Sequence, residues 1–168
     1  MSVVVDANLV VALILPLPYS DQAMHAAQVW KNNGIELYAP LLLEYEVASA
    51  LRKAVFIDHM TSEAAVSAMH KLMALDIHTC APTPELHARA LHWAERLAHS
   101  KTYDAHYLAL AEQLQTALWT ADQRLVNSAR RAGATWVYWI GAGPATRAAP
   151  PSPPARPLKR PHRTTSGR

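Results

Sequence analysis

Cysteine is nearly absent from this chain of 168 residues: Cys80 stands alone, so no intrachain disulfide can form and nothing points to an oxidising compartment. A reduced cytoplasm is the expected setting. Long apolar runs are missing too. The stretch from Leu9 to Leu17 is short, follows an acid instead of a basic segment, and breaks at Pro16-Leu17-Pro18, which argues against both a signal peptide and a membrane span. Nine histidines are present, yet no HxxxH pair and no Cys/His cluster stands at zinc-ligand spacing. Acidic residues stop at Asp122. Residues 1–140 carry ten basic groups against thirteen acidic ones, a net of −3, whereas the segment from Gly141 carries six basic groups and no acid. That segment is Pro, Ala, Arg, Ser and Thr with a single Leu as its large apolar residue, too little to offset the entropy of ordering, and its composition predicts a disordered basic tail over 141–168. Such a tail either adds salt-dependent affinity for a phosphate backbone or is a dispensable extension.

What is present fits one globular domain over residues 1–140. The chain is 51% apolar and long enough to bury a core of useful size. Short β-rich runs at Ser2–Val5, Glu36–Ala39, Asp76–Cys80, Ala117–Thr120 and Thr135–Ile140 predict strands. Helices are predicted between and beside them, at Asn8–Leu15, Asp21–Asn32, Leu41–Val55, Thr61–Leu75, Pro84–Ala98, Thr102–Gln115 and Asp122–Ala132. Asn33-Gly34 and Gly133 stand where helices end in left-handed geometry. This alternation predicts an α/β fold with a parallel sheet, in which ligands gather at the carboxyl ends of the strands.

Four carboxylates sit in separate apolar frames: VVVDAN around Asp6, LLLEYEVASAL around Glu46, TYDAHYLAL around Asp104 and LWTADQRL around Asp122. Desolvating an unpaired charge costs several kcal/mol, and no Lys or Arg lies near enough in sequence to pair with each of them. A divalent cation held by converging carboxylates is the leading partner, which points to a metal-dependent enzyme. Each acid alone has an ordinary explanation. Asp104, at the start of a helix, complements the helix dipole, and Asp122 is a candidate N-cap. Asp6 is harder to explain this way, because a strand-end acid beside Asn8 faces the ligand crevice of this fold class. In the second segment, Glu44 shares its helical stripe with Val47, Ala48 and Leu51, whereas Glu46 shares a smaller, more polar stripe with Ser49, Ala50 and Lys53. A cleft wall suits the latter, so Glu46 is the candidate.

These segments resemble the PIN-domain nucleases, and among them the VapC toxins of toxin–antitoxin pairs. The resemblance rests on Val5-Asp6-Ala7-Asn8, on Glu46-Val47-Ala48-Ser49-Ala50-Leu51, on the run from Tyr103 to Glu112, and on Thr120-Ala121-Asp122 through Leu125. It covers residues 1 to about 140 and departs in small ways, with Ser49 where the family often has Asn. It implies a PIN-like three-layer α/β/α fold around a central parallel sheet. It further implies an endoribonuclease that hydrolyses RNA phosphodiester bonds, in transfer RNA or other structured or single-stranded RNA. Mg²⁺, with Mn²⁺ as substitute, is the implied cofactor: Asp6 and Asp104 are the principal ligands, and Glu46 and Asp122 hold water or a second ion. A homodimer and a cognate VapB-like antitoxin are the implied partners.

Carboxylates converging at about 4 Å repel by up to roughly 4 kcal/mol per pair at an effective dielectric near 20, so without metal at least one should hold its proton unusually tightly. Thr120 is placed to orient a carboxylate or water through its hydroxyl. Lys53, Lys101 and Arg124 flank the motifs as candidate RNA-backbone contacts or ordinary surface charges. Two rivals remain. A non-catalytic PIN-like RNA-binding or scaffolding protein would have no reason to keep all four acids. A phospho-acceptor receiver-like domain needs a lysine on a late strand, and Ala117–Thr120 and Thr135–Ile140 contain none.

Overall fold

A computed structural model describes residues 1–142. The predicted tail therefore lies outside the described residues, apart from Gly141 and Ala142. Five strands and seven helices alternate: β1 (Ser2–Val5), α1 (Ala7–Ile14), α2 (Ser20–Asn32), β2 (Glu36–Pro40), α3 (Leu42–Phe56), α4 (Ser62–Ala74), β3 (Ile77–Cys80), α5 (Pro84–Arg96), α6 (Tyr103–Gln113), β4 (Ala117–Thr120), α7 (Gln123–Arg131) and β5 (Val137–Trp139).

All strand pairs are parallel, in the order β3-β2-β1-β4-β5. The chain walks outward from β1 through β2 to β3, then returns to the other side of β1 and walks out again. The crevice where the direction reverses lies between the carboxyl ends of β1 and β4, the site at which this architecture receives ligands. Adjacent residues of a strand face opposite sides of a sheet, and Val3, Val4 and Val5 are all fully buried, so helices cover both faces of β1. β4 is buried along its whole length in the same way.

α6 packs against β1, β2 and β4, with α5 laid over it. Its residues Ala105 and Tyr107 to Ala111 are buried nearly all round, which makes α6 a core helix and not an amphipathic cover. α1 packs on α2 and α3. Helix ends follow local chemistry. Thr61 and Thr83 accept hydrogen bonds from the Ala64 and Leu86 amides, Pro84 occupies the first turn of α5, and Gly34 and Gly133 adopt φ of 62° and 92° just past α2 and α7. α1 begins one residue earlier than the sequence predicts, because Asp6 itself caps it. β5 is shorter than predicted: its register partner β4 ends where Thr120 meets Trp139, and Ile140 turns into a 3-10 segment. Trp136 is buried in the core, and half-buried Trp139 packs edge-on against Tyr19.

Candidate active site

Asp6 follows the last residue of β1 and caps α1. Its backbone N–H still donates to the Trp119 carbonyl of β4 at 3.1 Å, and its Oδ1 accepts the Leu9 N–H at 2.9 Å. Its Oδ2 accepts the Thr120 hydroxyl, and the Thr120 oxygen in turn accepts the Asp122 N–H at 2.8 Å. One hydroxyl at the end of β4 therefore ties the two crevice acids together. Thr120 orients a carboxylate, as the sequence suggested. Asp122 caps α7, its Oδ1 accepting the Arg124 N–H at 2.7 Å and the Leu125 N–H at 3.3 Å.

Asp6, Glu46 and Asp104 line one cavity of about 390 Å³, with Asn8, Ser49 and Tyr107 among its other walls. Asp122 does not line it. That acid opens on a neighbouring cavity of about 380 Å³ with Arg124, and Asn8 borders both. The charge of Asp122 nevertheless reaches Asp104, where it favours the protonated form. Glu44, the rejected neighbour, is half-buried and outside the cavity lining.

Proton affinities follow this placement. Asp6 is 3% exposed, and burial pushes its carboxyl up from 3.8 to about 7. The Thr120 and Leu9 hydrogen bonds pull the other way, and the charges of Asp104 and Glu46 add a further rise. The tight proton expected from carboxylate repulsion is present, but burial contributes more to it than the neighbouring acids do. Glu46 is raised mainly by burial and then by Asp104, while a 2.6 Å hydrogen bond from the Tyr107 hydroxyl lowers it. Asp104 is raised by burial and by Asp122 and lowered by His99, whose Nδ1 lies 3.9 Å from its Oδ2. Burial and the surrounding acids push Tyr107 far above the usual phenol range, so its hydroxyl keeps its proton and serves Glu46 as a fixed donor.

Tyr107 and His99 escaped the sequence reading. A signal existed for Tyr107: it stands three residues after Asp104, hence on the same helical face, and a tyrosine within a buried helix needs a partner for its hydroxyl. His99 lies on the connection before α6, where no periodicity indicates what a side chain faces. Of the candidate cations, Lys53 borders a groove beside the cavity, Arg124 lines the Asp122 cavity and Lys101 is exposed.

Among the described residues, no three His, Cys, Asp or Glu side chains form a ready-made ion cage. Mg²⁺ does not need one, since it retains several waters and is held through one or two carboxylates. The acids lining the Asp6 cavity supply oxygen donors and raise one another's proton affinity, no His or Cys is among the cavity's lining residues, and His99 approaches Asp104 singly, a donor chemistry that suits Mg²⁺ or Mn²⁺ over zinc.

A family model described as "PIN domain" matches residues 4–135. The chain belongs to the PIN-domain family. The relatives it resembles are of the VapC type. Ribonuclease VapC1 of Mycobacterium tuberculosis is 40% identical over 88 residues, which cover 52% of this chain and 63% of the relative, so the match spans less than two thirds of that protein. Ribonuclease VapC3 of Pyrobaculum aerophilum is 35% identical over 132 residues, covering 76% of this chain and 94% of the relative. The crystal structure of Mycobacterium tuberculosis VapC20, described as a sarcin-ricin loop cleaving toxin, superposes with a TM-score of 0.56 at 16% identity over 75% of this chain and 94% of that one, which shows a shared fold.

Proposed function

We propose that this protein is a divalent-metal-dependent endoribonuclease of the VapC type, acting in the cytoplasm on RNA and held inactive by a cognate antitoxin. The observation that carries this reading is the meeting of Asp6, Glu46 and Asp104 in one cavity at the β1–β4 crevice, on a chain whose relatives are named ribonucleases. Asp6 and Asp104 would hold Mg²⁺, with Glu46 and Asp122 beside them. The ion would supply charge for the phosphate oxygens and acidify a water that attacks the phosphodiester.

The protein's own groups prepare the rest. Thr120 and the Leu9 amide occupy one acceptor site on each oxygen of Asp6 and fix its plane, leaving further lone pairs for the cavity. Tyr107 holds Glu46 at a fixed rotamer and lowers its proton affinity, so Glu46 is available as an acceptor for water. Asp104 sits where His99 offsets part of the repulsion from Asp122. Residues 1–140 form the catalytic unit in this reading, the basic tail is an appendage, and a homodimer is the assembly.

Purified full-length protein incubated with total RNA should cleave it in Mg²⁺ or Mn²⁺ and leave it intact in EDTA. The Asp104→Asn variant should be inert under all three conditions. Cleavage that persists in EDTA or in the variant overturns the metal-nuclease reading. Metal-independent RNA binding without cleavage by the unsubstituted chain would instead favour a PIN-like RNA-binding protein.

A further inference from the structure

The acid cavity continues into a second groove of about 640 Å³, and the two share Tyr45 and Ser49. Tyr45, Ser49, Arg52 and Phe56 recur every three or four residues along α3 and form one stripe, with Ala48 and Lys53 beside it. From Tyr45 to Phe56 the stripe runs about 16 Å. Its aromatic residues are outward. Tyr45 is 68% and Phe56 75% exposed, and Phe56 is the only phenylalanine in the chain. Tyr103, 52% exposed, also lines the acid cavity, from the start of α6.

Arg52 lies over the Phe56 ring at 5.9 Å, and among the described residues neither Arg52 nor Lys53 forms an ion pair. Two cations without ion pairs on a domain of net charge −3, interleaved with exposed aromatic rings, match the chemistry of a single nucleic-acid strand: phosphates for the cations, bases for the rings.

We propose that the Tyr45–Arg52–Lys53–Phe56 stripe of α3, with Tyr103 of the cavity lining, is the track along which single-stranded RNA enters the acid cavity. The assignment rests on the ribonuclease reading and adds to it the direction of approach and the form of the substrate. Bases stack on Tyr45, Phe56 and Tyr103 without regard to sequence, while Arg52 and Lys53 hold the backbone leading to Asp6, Glu46 and Asp104.

Binding of a fluorescent single-stranded RNA on the order of ten nucleotides long, a typical site size, is measured by anisotropy on full-length Asp104→Asn protein across a salt series. Phe56→Ala should weaken it roughly tenfold. Arg52→Ala should also lower the slope of log affinity against log salt by about 0.7, the value for one single-strand phosphate contact. Leu91→Ala, exposed on α5 and lining neither cavity, should change nothing. In the otherwise unsubstituted chain, Phe56→Ala should raise KM for the same RNA with kcat retained. Stripe variants that bind and cleave like the unsubstituted chain overturn the track alone. RNA held through the stripe with no Mg²⁺-dependent cleavage keeps the track and overturns the nuclease reading. Unchanged RNA affinity with a shift from dimer to monomer by light scattering makes the stripe a self-association face, and the track is then wrong.

Discussion

Thr120 is a small residue with two obligations, donating to Asp6 and accepting from the Asp122 amide. Thr120→Val keeps its shape and removes both. Asp6 then loses a bond that favours its ionised form, so the acid limb of the pH–activity profile should move to higher pH, and cleavage near pH 7 should drop roughly 10- to 100-fold, the range for a supporting partner of a metal ligand. Tyr107→Phe should act in the same direction through Glu46, with a stability loss of about 1 kcal/mol for the hydrogen bond, read by urea unfolding. Asp6 itself links pH to stability. Its folded value of about 7 exceeds the free value of 3.8, so between the two the folded chain keeps a proton that the unfolded chain has lost. Stability in chelator should therefore be greatest at the acid end of this window and fall as pH rises, with a total loss on the order of 4 kcal/mol above pH 7. Melting curves in EDTA should show this fall, and Asp6→Asn should remove the greater part of it.

At the scale of elements, Asp122 both opens on the cavity next to the Asp6 site and caps α7, and the two roles separate by substitution. Asp122→Asn preserves a good N-cap and should leave the melting temperature nearly unchanged while impairing cleavage. Asp122→Ala should also cost about 1 kcal/mol of stability. Removing this acid is thus not a purely functional lesion, in keeping with the N-cap role that its sequence position offered. The order of elements was legible because buried strands and amphipathic helices write different periods, and Asp6 was legible because an acid ending Val3-Val4-Val5 has so few other uses. The relation between Asp104 and Asp122 was not: both stand at helix starts, and only the tertiary packing decides that one lines the Glu46 cavity and the other a neighbouring one. The pairing of Tyr107 with Glu46 was not legible either, since the two lie 61 residues apart and no local pattern records that distance.

For the whole molecule, metal and fold should be coupled. If the acids bind Mg²⁺ when ionised, a concentration a hundredfold above Kd should stabilise the protein by about 2.7 kcal/mol, a shift of several degrees by scanning fluorimetry at mildly alkaline pH. Asp104→Asn should abolish the shift, and its absence in the unsubstituted chain would remove the metal from the account. Truncation after Ala142 should leave the melting temperature unchanged and flatten the salt dependence of RNA binding, since six cations depart with the tail. The strand order has a consequence for the time at which the chain becomes active. β1 lies between β2 and β4, yet β4 is not synthesised until residues 117–120, after Asp104 and just ahead of Asp122. A chain still on the ribosome with only its first hundred residues exposed has Asp6 at an open strand edge, with neither Thr120 nor Asp104 to complete its surroundings. On the reading proposed above, the acid site is therefore assembled only as this last central strand closes the sheet, and cleavage should wait until that strand has left the ribosome.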